Sequence, residues 1–337
     1  MAHINDSSTQ TVQQHVLRLN NYLNSRILGQ SGLVSRLLIA LLADGHLLVE
    51  GAPGLAKTRA VKELAAGVEG SFHRIQFTPD LLPGDLTGTD VYHPEDGSFV
   101  FLPGPIFHHM LLADEINRAP AKVQSALLEA MAERQVTIGS KTYPLPELFL
   151  VMATQNPIEQ EGTYPLPEAQ LDRFLMYVKI GYPDARVERD ILTLARKEAV
   201  ANNVLNETTL MVDDTITPLT QRTLFEARQQ VLNVHTSDAL EQYIVQLVVA
   251  TRNPGIYSSA LARWLRFGAS PRATIALDRC SKAHAWLAGR DYVTPEDVHV
   301  IAHDVLRHRI LLTFEAEAEG ISSDDFIDEL LRQVALP

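Results

Sequence analysis

Cysteine is almost absent from this chain of 337 residues, in which Cys280 is the only one. A single cysteine excludes a disulfide within the chain and a zinc site built from several cysteines, and it is typical of a reducing compartment. Long apolar runs are missing too, since no stretch reaches the ~18 apolar residues of a membrane-spanning helix. The first residues are polar and lack the apolar core of a signal peptide. These absences predict a cytoplasmic protein without a membrane span.

Positive charge is also scarce. The chain has 29 lysines and arginines against 41 aspartates and glutamates, which gives a formal net charge of −12 and a sequence pI of about 5.4. Nucleic-acid binding depends on the neutralisation of phosphates by lysine and arginine. A general attraction to nucleic acid is therefore not expected, although a local basic pore would remain compatible with this charge.

A phosphate-binding loop is what the chain does contain. Residues 51–58 read Gly-Ala-Pro-Gly-Leu-Ala-Lys-Thr between an apolar run and a helical pattern. Backbone N–H groups of such a loop cradle phosphate oxygens, while the lysine reaches the outer phosphates and the hydroxyl ligates Mg²⁺. Ala56 replaces the second glycine of the standard pattern, which is tolerable if its φ is negative. The predicted nucleotide-binding residues are Gly51, Ala52, Pro53, Gly54, Leu55, Ala56, Lys57, Thr58 and Arg59.

Short apolar runs alternate with helical patterns up to about residue 180, which is typical of a parallel sheet with helices on its faces. Residues 82–107 and 135–146 interrupt this alternation and predict β-hairpin insertions. Beyond Pro183 the patterns are helical. We therefore expect an N-terminal helical segment over 1–26, an α/β nucleotide-binding domain over 27–183 and an all-helical domain over 184–337. Strands are predicted over 46–50, 72–77, 109–113, 148–153 and 175–180.

Polar residues follow two of these predicted strands. Phosphoryl transfer needs one carboxylate near Mg²⁺ and a second group that activates the attacking water. Asp114 and Glu115, at the end of the run Met-Leu-Leu-Ala-Asp-Glu, are predicted as the metal partner and the general base. Asn156 is predicted to orient the water and to sense the γ-phosphate. An asparagine that only shapes the turn before Pro157 is the alternative interpretation.

An arginine is expected as well, because negative charge builds up on the γ-phosphate oxygens during the reaction. Three arginines are candidates: Arg118 after the carboxylates, Arg173 after the predicted sensor, and Arg272 at the start of a helix in the second domain. Their spacing alone does not choose among them.

Taken together, these residues resemble the AAA+ ATPases and, within them, the MoxR family, over about residues 27–320. Ala56 is usual in that family. The resemblance is carried by Ile27-Leu28-Gly29-Gln30, the Gly-Leu-Ala-Lys-Thr form of the loop, Ala-Asp-Glu-Ile-Asn-Arg-Ala-Pro at 113–120, Ala-Thr-Gln-Asn-Pro at 153–157, Gln-Glu-Gly-Thr-Tyr at 160–164, Leu-Asp-Arg-Phe at 171–174, Gly-Ala-Ser-Pro-Arg at 268–272 and Phe-Glu-Ala-Glu-Ala-Glu-Gly at 314–320.

The resemblance implies a hexameric ring with ATP and Mg²⁺ between subunits, and it makes the second domain a lid. It implies that Arg173 is an arginine finger for the neighbour's ATP and that Arg272 is a second sensor, acting within its own subunit or on the next. Gly29 and Gln30 would line the adenine, and the two hairpins would face the pore. A chaperone-like role in maturing protein clients, with a von Willebrand factor A partner, is also implied.

Two other functions remain open at this point. A nucleotide-gated scaffold would bind ATP and hardly hydrolyse it, but such a protein need not keep the full set of catalytic residues. A nucleic-acid motor of related architecture is disfavoured by the net charge of −12. Only Lys141 is an obvious basic residue at the turn of the second hairpin.

Overall fold

A five-stranded parallel sheet forms the centre of the nucleotide-binding half. The computed structural model describes residues 3–95, 97–157, 162–204 and 216–337, so Gln160 and Glu161 of one sequence motif lie outside the described residues. The strands in chain order are β1 Leu47–Glu50, β2 Phe72–Gln76, β3 Gly88–His93, β4 Ser98–Pro103, β5 Met110–Asp114, β6 Gln135–Ile138, β7 Lys141–Pro144, β8 Leu150–Gln155, β9 Met176–Lys179, β10 Leu265–Phe267 and β11 Leu311–Leu312.

Helices cover this sheet and form most of the second half of the chain. The helices in chain order are α1 His3–Arg26, α2 Ser31–Leu42, α3 Lys57–Gly67, α4 Pro83–Thr87, α5 Ala121–Glu133, α6 Glu168–Leu171, α7 Ala185–Val204, α8 Gln221–Leu232, α9 Asp238–Ala250, α10 Ser259–Trp264, α11 Pro271–Leu287, α12 Pro295–Leu306, α13 Phe314–Ala318 and α14 Ser323–Gln333. In the described residues, no helix combines the length and apolar character that crossing a membrane requires.

The strand order of the central sheet is β2-β5-β8-β1-β9, and all neighbouring pairs are parallel. Successive side chains of a strand point to opposite faces. Leu47 and Val49 therefore join a core shared with α2 and the later helices, whereas Leu48 joins a second core that includes residues of α5. Burial on both faces explains why these strands are continuous apolar runs. The five strands predicted from the sequence are confirmed to within two residues.

Both predicted hairpins are present. Strands β3 and β4 pair antiparallel, and so do β6 and β7 around the turn at Gly139 and Ser140. Phe101 of the first hairpin stacks on Tyr143 of the second, with ring centroids 4.1 Å apart. The short helix α4 precedes the first hairpin within the segment predicted as an insertion. The two insertions thus contact each other.

The second half is a helical lid, and it also contains two short strands. The patterns beyond Pro183 predicted helices alone, but α10 ends at Trp264, because Leu265–Phe267 pairs antiparallel with Leu311–Leu312. Tertiary strand pairing overrides the local helical pattern there. The rest of the described lid is mainly helical, as predicted, and α11 lies inside it with Cys280 fully buried.

Candidate nucleotide site

The P-loop connects β1 to α3 and turns sharply into that helix. Lys57 is the first residue of α3, and its Nζ donates to the carbonyl oxygen of Gly51 at 2.6 Å. A Cβ on Gly51 would lie 2.4 Å from Cγ1 of Ile180, so only glycine fits there. The expected negative φ at Ala56 is wrong: its φ is 56° and its ψ 18°. This left-handed conformation costs roughly 1–2 kcal/mol for an L-residue.

Lys57 lies close to several carboxylates. Burial lowers the pKa of Lys57, and the negative charges of Asp114, Glu115 and Glu50 oppose that shift. Its ammonium group donates to backbone carbonyl oxygens, since Gln155 O lies 3.5 Å away in addition to Gly51 O. The geometry therefore presents a cation beside the loop, where the outer phosphates of a nucleotide would lie.

Asp114 ends β5, and Glu115 follows it in a left-handed conformation with φ 56°. The fully buried Thr154 on the adjacent strand β8 connects the two residues. Its Oγ1 donates to Oδ1 of Asp114 at 2.5 Å and accepts the backbone N–H of Glu115 at 2.9 Å. One hydroxyl is therefore hydrogen-bonded both to the side chain of the predicted metal partner and to the backbone of the predicted base.

Three further side chains contact these carboxylates. Arg74 Nη2 donates to Oδ2 of Asp114 at 2.7 Å. Gln76 Nε2 donates to Oε2 of Glu115 at 2.7 Å, and Arg118 Nε lies 3.2 Å from the same oxygen. Sequence reasoning missed Arg74, Gln76 and Thr154. Arg74 and Gln76 alternate along β2 and therefore share a face, but a sequence does not show that β2 neighbours β5.

A cleft of about 430 Å³ brings most of the predicted residues together at the carboxyl ends of β1, β5 and β8. Thr58 and Asp114 both line it, and oxygen ligands of this kind are those that Mg²⁺ prefers. Its chemistry therefore fits a nucleotide with Mg²⁺. The lining residues are Pro53, Gly54, Leu55, Ala56, Lys57, Thr58, Arg59, Arg74, Gln76, Asp114, Glu115 and Asn156.

Gly29 and Gln30, assigned to the adenine by resemblance, are not among the described residues that line this cleft. Gln30 Nε2 donates to the carbonyl oxygen of Gly181 at 3.1 Å. Gly29 has a φ of 75°, and a Cβ there would lie 2.4 Å from Cγ1 of Val187. Their contact with a nucleotide remains a prediction.

Arg173 and Arg272 lie together in another cleft, which we call the arginine cleft. It has a volume of about 300 Å³ and is lined by Asp44, Gly45, His46, Met131, Ala132, Arg134, Asp172, Arg173, Phe174, Leu175, Arg272, Ile275, Ala276, Arg279 and Arg309. Arg173 Nη1 donates to the carbonyl oxygen of Leu128 at 2.7 Å. In the described residues, the P-loop cleft and the arginine cleft share no lining side chain.

The two clefts lie at opposite ends of the strands of the central sheet. Gly45 and His46 immediately precede β1, and Phe174 and Leu175 immediately precede β9, whereas the P-loop follows β1. Gly51 lies six positions after Gly45, a span of roughly 20 Å at the rise of a β-strand. The arginine cleft therefore faces away from the phosphate-binding loop of its own chain.

The fold and this site define an AAA+ ATPase. Residues 46–176 match the ATPase family associated with various cellular activities (AAA), and residues 259–330 match the AAA lid domain. The crystal structure of a candidate ATPase from Cytophaga hutchinsonii ATCC 33406 is similar, with a TM-score of 0.88, 45% sequence identity and 98% of each chain covered. Nucleotide binding follows from the AAA domain.

Two curated relatives narrow this assignment. Chaperone MoxR1 of Mycobacterium tuberculosis is 47% identical over 92% of this chain and 79% of the relative. Protein MoxR of Paracoccus denitrificans is 35% identical over 89% of this chain and 90% of the relative. The chain belongs to the MoxR family of AAA+ ATPases, which confirms the resemblance that the sequence motifs indicated.

Proposed function

We propose that this protein is a Mg²⁺-dependent ATPase that works as a ring, with each ATP held between the P-loop cleft of one subunit and the arginine cleft of the next. The observation that carries the proposal is that the two clefts lie at opposite ends of the strands of one sheet. The roughly 20 Å between the two ends of the strands is more than one arginine side chain can span. We therefore propose that both Arg173 and Arg272 act on the nucleotide of a neighbouring subunit, which for Arg272 is one of the two directions that the sequence left open.

The proposed roles within one interface follow from the contacts of the P-loop cleft. Backbone N–H groups of the loop and Lys57 bind the phosphates, and Thr58 and Asp114 hold Mg²⁺. When bound, Mg²⁺ neutralises charge on the β- and γ-phosphate oxygens. Glu115 takes a proton from the attacking water, and Asn156 orients that water.

The neighbouring subunit completes this site. Arg173 stabilises the negative charge that grows on the γ-phosphate oxygens, as an arginine finger does. Arg272 approaches the same nucleotide from the lid. Gly29 and Gln30 are proposed to line the adenine, next to the chain that enters α7.

We further propose a chaperone-like role in the cytoplasm, with protein clients and a von Willebrand factor A partner. One curated relative is named Chaperone MoxR1. The first hairpin exposes Tyr92, Phe99 and Leu102, which gives a client an apolar surface. A nucleic-acid motor is disfavoured by the net charge of −12, and strong salt dependence of a DNA affinity would revive it.

The domain limits belong to this proposal. An N-terminal helical segment over 1–26 is supported by the end of α1 at Arg26, and a nucleotide-binding domain over 27–183 by the end of the last sheet strand at Lys179. The lid over 184–337 then begins with α7.

Steady-state ATP turnover measured against protein concentration tests the ring, with light scattering on the same samples. Specific activity should rise with concentration as rings assemble and then become constant. Glu115→Gln should retain ATP binding and lose nearly all turnover. Constant activity from a species that scatters as a monomer would contradict the shared site. Binding without turnover at every concentration would favour the scaffold.

A further inference from the structure

A buried arginine of the lid holds the chain that carries Arg173. The side chain of Arg309, which follows α12, is only 3% exposed. Its Nε donates to Oδ1 of Asp172 at 2.8 Å, and its Nη2 donates to the carbonyl oxygen of Phe174 at 2.6 Å. A buried guanidinium needs a paired negative charge, since an unpaired ion is costly to remove from water. Asp172 provides that charge directly before Arg173.

The second oxygen of Asp172 contacts the segment that carries Arg272. Ser270 Oγ donates to Oδ2 of Asp172 at 2.8 Å. The same Ser270 Oγ accepts the backbone N–H of Arg272 at 3.2 Å and thereby caps α11. The carboxylate of Asp172, directly before Arg173, therefore contacts Ser270, two positions before Arg272.

The neighbours of Arg309 reinforce this attachment. Arg307 Nη1 donates to the carbonyl oxygen of Tyr177 at 2.7 Å. The ring Nε2 of the buried His308 lies 3.2 Å from the carbonyl oxygen of Phe174. Three successive lid residues therefore contact the backbone between Asp172 and Tyr177 and attach the lid to this segment.

We propose that Arg309, Asp172 and Ser270 form a latch that sets the positions of Arg173 and Arg272 relative to each other, so that both reach the neighbouring subunit's ATP. The proposal rests on the function proposed above. The three latch residues position the two arginines and do not contact the nucleotide themselves. The latch also gives the lid a direct path to the finger it presents to its neighbour.

The first test is Asp172→Asn, which keeps the shape of the side chain and removes its charge. A displacement of about 1 Å in a catalytic group can cost ~10²-fold in rate. We expect turnover to fall roughly 10- to 100-fold with unchanged ATP affinity, because the P-loop cleft of the variant is intact. Asp328→Asn, which removes an exposed lid contact to His303, should leave turnover unchanged.

Subunit mixing separates positioning from a loss of structure. Rings that contain Asp172→Asn and Glu115→Gln subunits should recover turnover, because some interfaces combine an intact base with an intact finger. Mixing Asp172→Asn with Arg173→Ala should give no recovery, since both lack a working finger. The reverse pattern, or wild-type turnover of Asp172→Asn alone, would overturn the latch.

Two further measurements keep the result unambiguous. If Asp172→Asn does not fold, Ser270→Ala keeps the Arg309–Asp172 pair and should still lower turnover, whereas Ser270→Thr keeps the hydroxyl and should restore it. Equal loss in both Ser270 variants would overturn the latch. If Arg173→Ala itself is not rescued by Glu115→Gln, the proposed action on a neighbour fails, which is distinct from a failure of Asp172→Asn alone.

Discussion

The P-loop cleft and the arginine cleft are built in different ways. The first collects residues that directly follow β1, β5 and β8, so the carboxyl edge of one sheet positions nearly all of them. The second joins the chain before β9 to the start of α11 and the end of α12, so it exists only where the lid contacts the core. The P-loop cleft is therefore formed by the nucleotide-binding domain alone, whereas the arginine cleft requires the contact between that domain and the lid.

This difference predicts a division of labour. Changes in the P-loop cleft should affect the subunit's own nucleotide, whereas changes in the arginine cleft should affect only the nucleotide of the neighbour. Contacts between lid and core should therefore influence turnover more than nucleotide affinity. The predictions below test that division.

The largest expected effect contrasts Lys57→Ala with Arg173→Ala. Lys57→Ala removes the cation beside the phosphates and should abolish ATP binding as well as turnover. Arg173→Ala should lower turnover by roughly 10³-fold or more, as loss of an arginine finger does, and leave ATP affinity intact. Calorimetric ATP binding and steady-state turnover of both variants measure this. Loss of binding in Arg173→Ala would break the distinction between the clefts.

The next effect is the pH dependence of stability that we expect from His46, which lines the arginine cleft. Burial lowers the pKa of His46 to about 4, Arg134 and Arg228 add to the shift, and Asp44 opposes it. His46 Nδ1 accepts the backbone N–H of Val151 at 3.1 Å, so the folded state holds the neutral ring. As the pH falls, His46 of the unfolded chain is protonated before His46 of the folded protein. The contribution of the neutral ring to the free energy of unfolding is therefore complete above pH 6.5 and is lost as the pH falls through about 4.

The expected loss over that interval is about 3 kcal/mol of unfolding free energy, since one pKa unit corresponds to about 1.4 kcal/mol. Thermal midpoints at pH 7.5 and pH 5 should therefore differ, and His46→Gln should reduce the difference. His15→Gln, on the exposed face of α1, is the matched control and should keep the full difference. Identical pH profiles for wild type and His46→Gln would contradict the prediction.

A smaller effect is expected from Thr154→Val, which replaces the hydroxyl between Asp114 and Glu115 with a methyl group. A buried group left without its partner costs about 1–3 kcal/mol. If misplacement of the two carboxylates raises the activation free energy by a similar amount, turnover should fall about 10- to 100-fold. Thr154→Ser should recover most of the activity, and Thr89→Val on the exposed face of β3 should have no effect. Full activity of Thr154→Val would remove the hydroxyl from the catalytic arrangement.

Sequence reasoning was strongest where chemistry is local in the chain. The five strands, the loop 51–58 and the pair Asp114 and Glu115 were found because apolar runs and contiguous motifs carry them. Arg74 could not be assigned to Asp114, because that contact depends on the order of strands in the sheet. Arg309 and Asp172 are 137 residues apart, so their ion pair depends on how the lid docks. The P-loop cleft was therefore predictable, and most of the arginine cleft was not.

The exception within the P-loop cleft is the backbone of Ala56, whose positive φ the sequence did not indicate. Two opposing terms decide the outcome of Ala56→Gly. Glycine removes a strain of roughly 1–2 kcal/mol, and it raises the entropy of the unfolded chain by roughly 0.4–1 kcal/mol. We therefore expect a net stabilisation of about 0.5–1 kcal/mol, measured as a higher thermal midpoint of the nucleotide-free protein.

Ala52→Gly is the matched control for this change in the same loop. Ala52 is nearly buried and is not among the residues with positive φ in the described chain. Glycine there removes buried apolar surface and gains no relief of strain, so the thermal midpoint should fall. Equal destabilisation by both substitutions would mean that Ala56 does not hold a left-handed conformation in the free protein. A rise for Ala56→Gly alone would show that this cleft stores strain in its own loop, before any neighbour contributes an arginine.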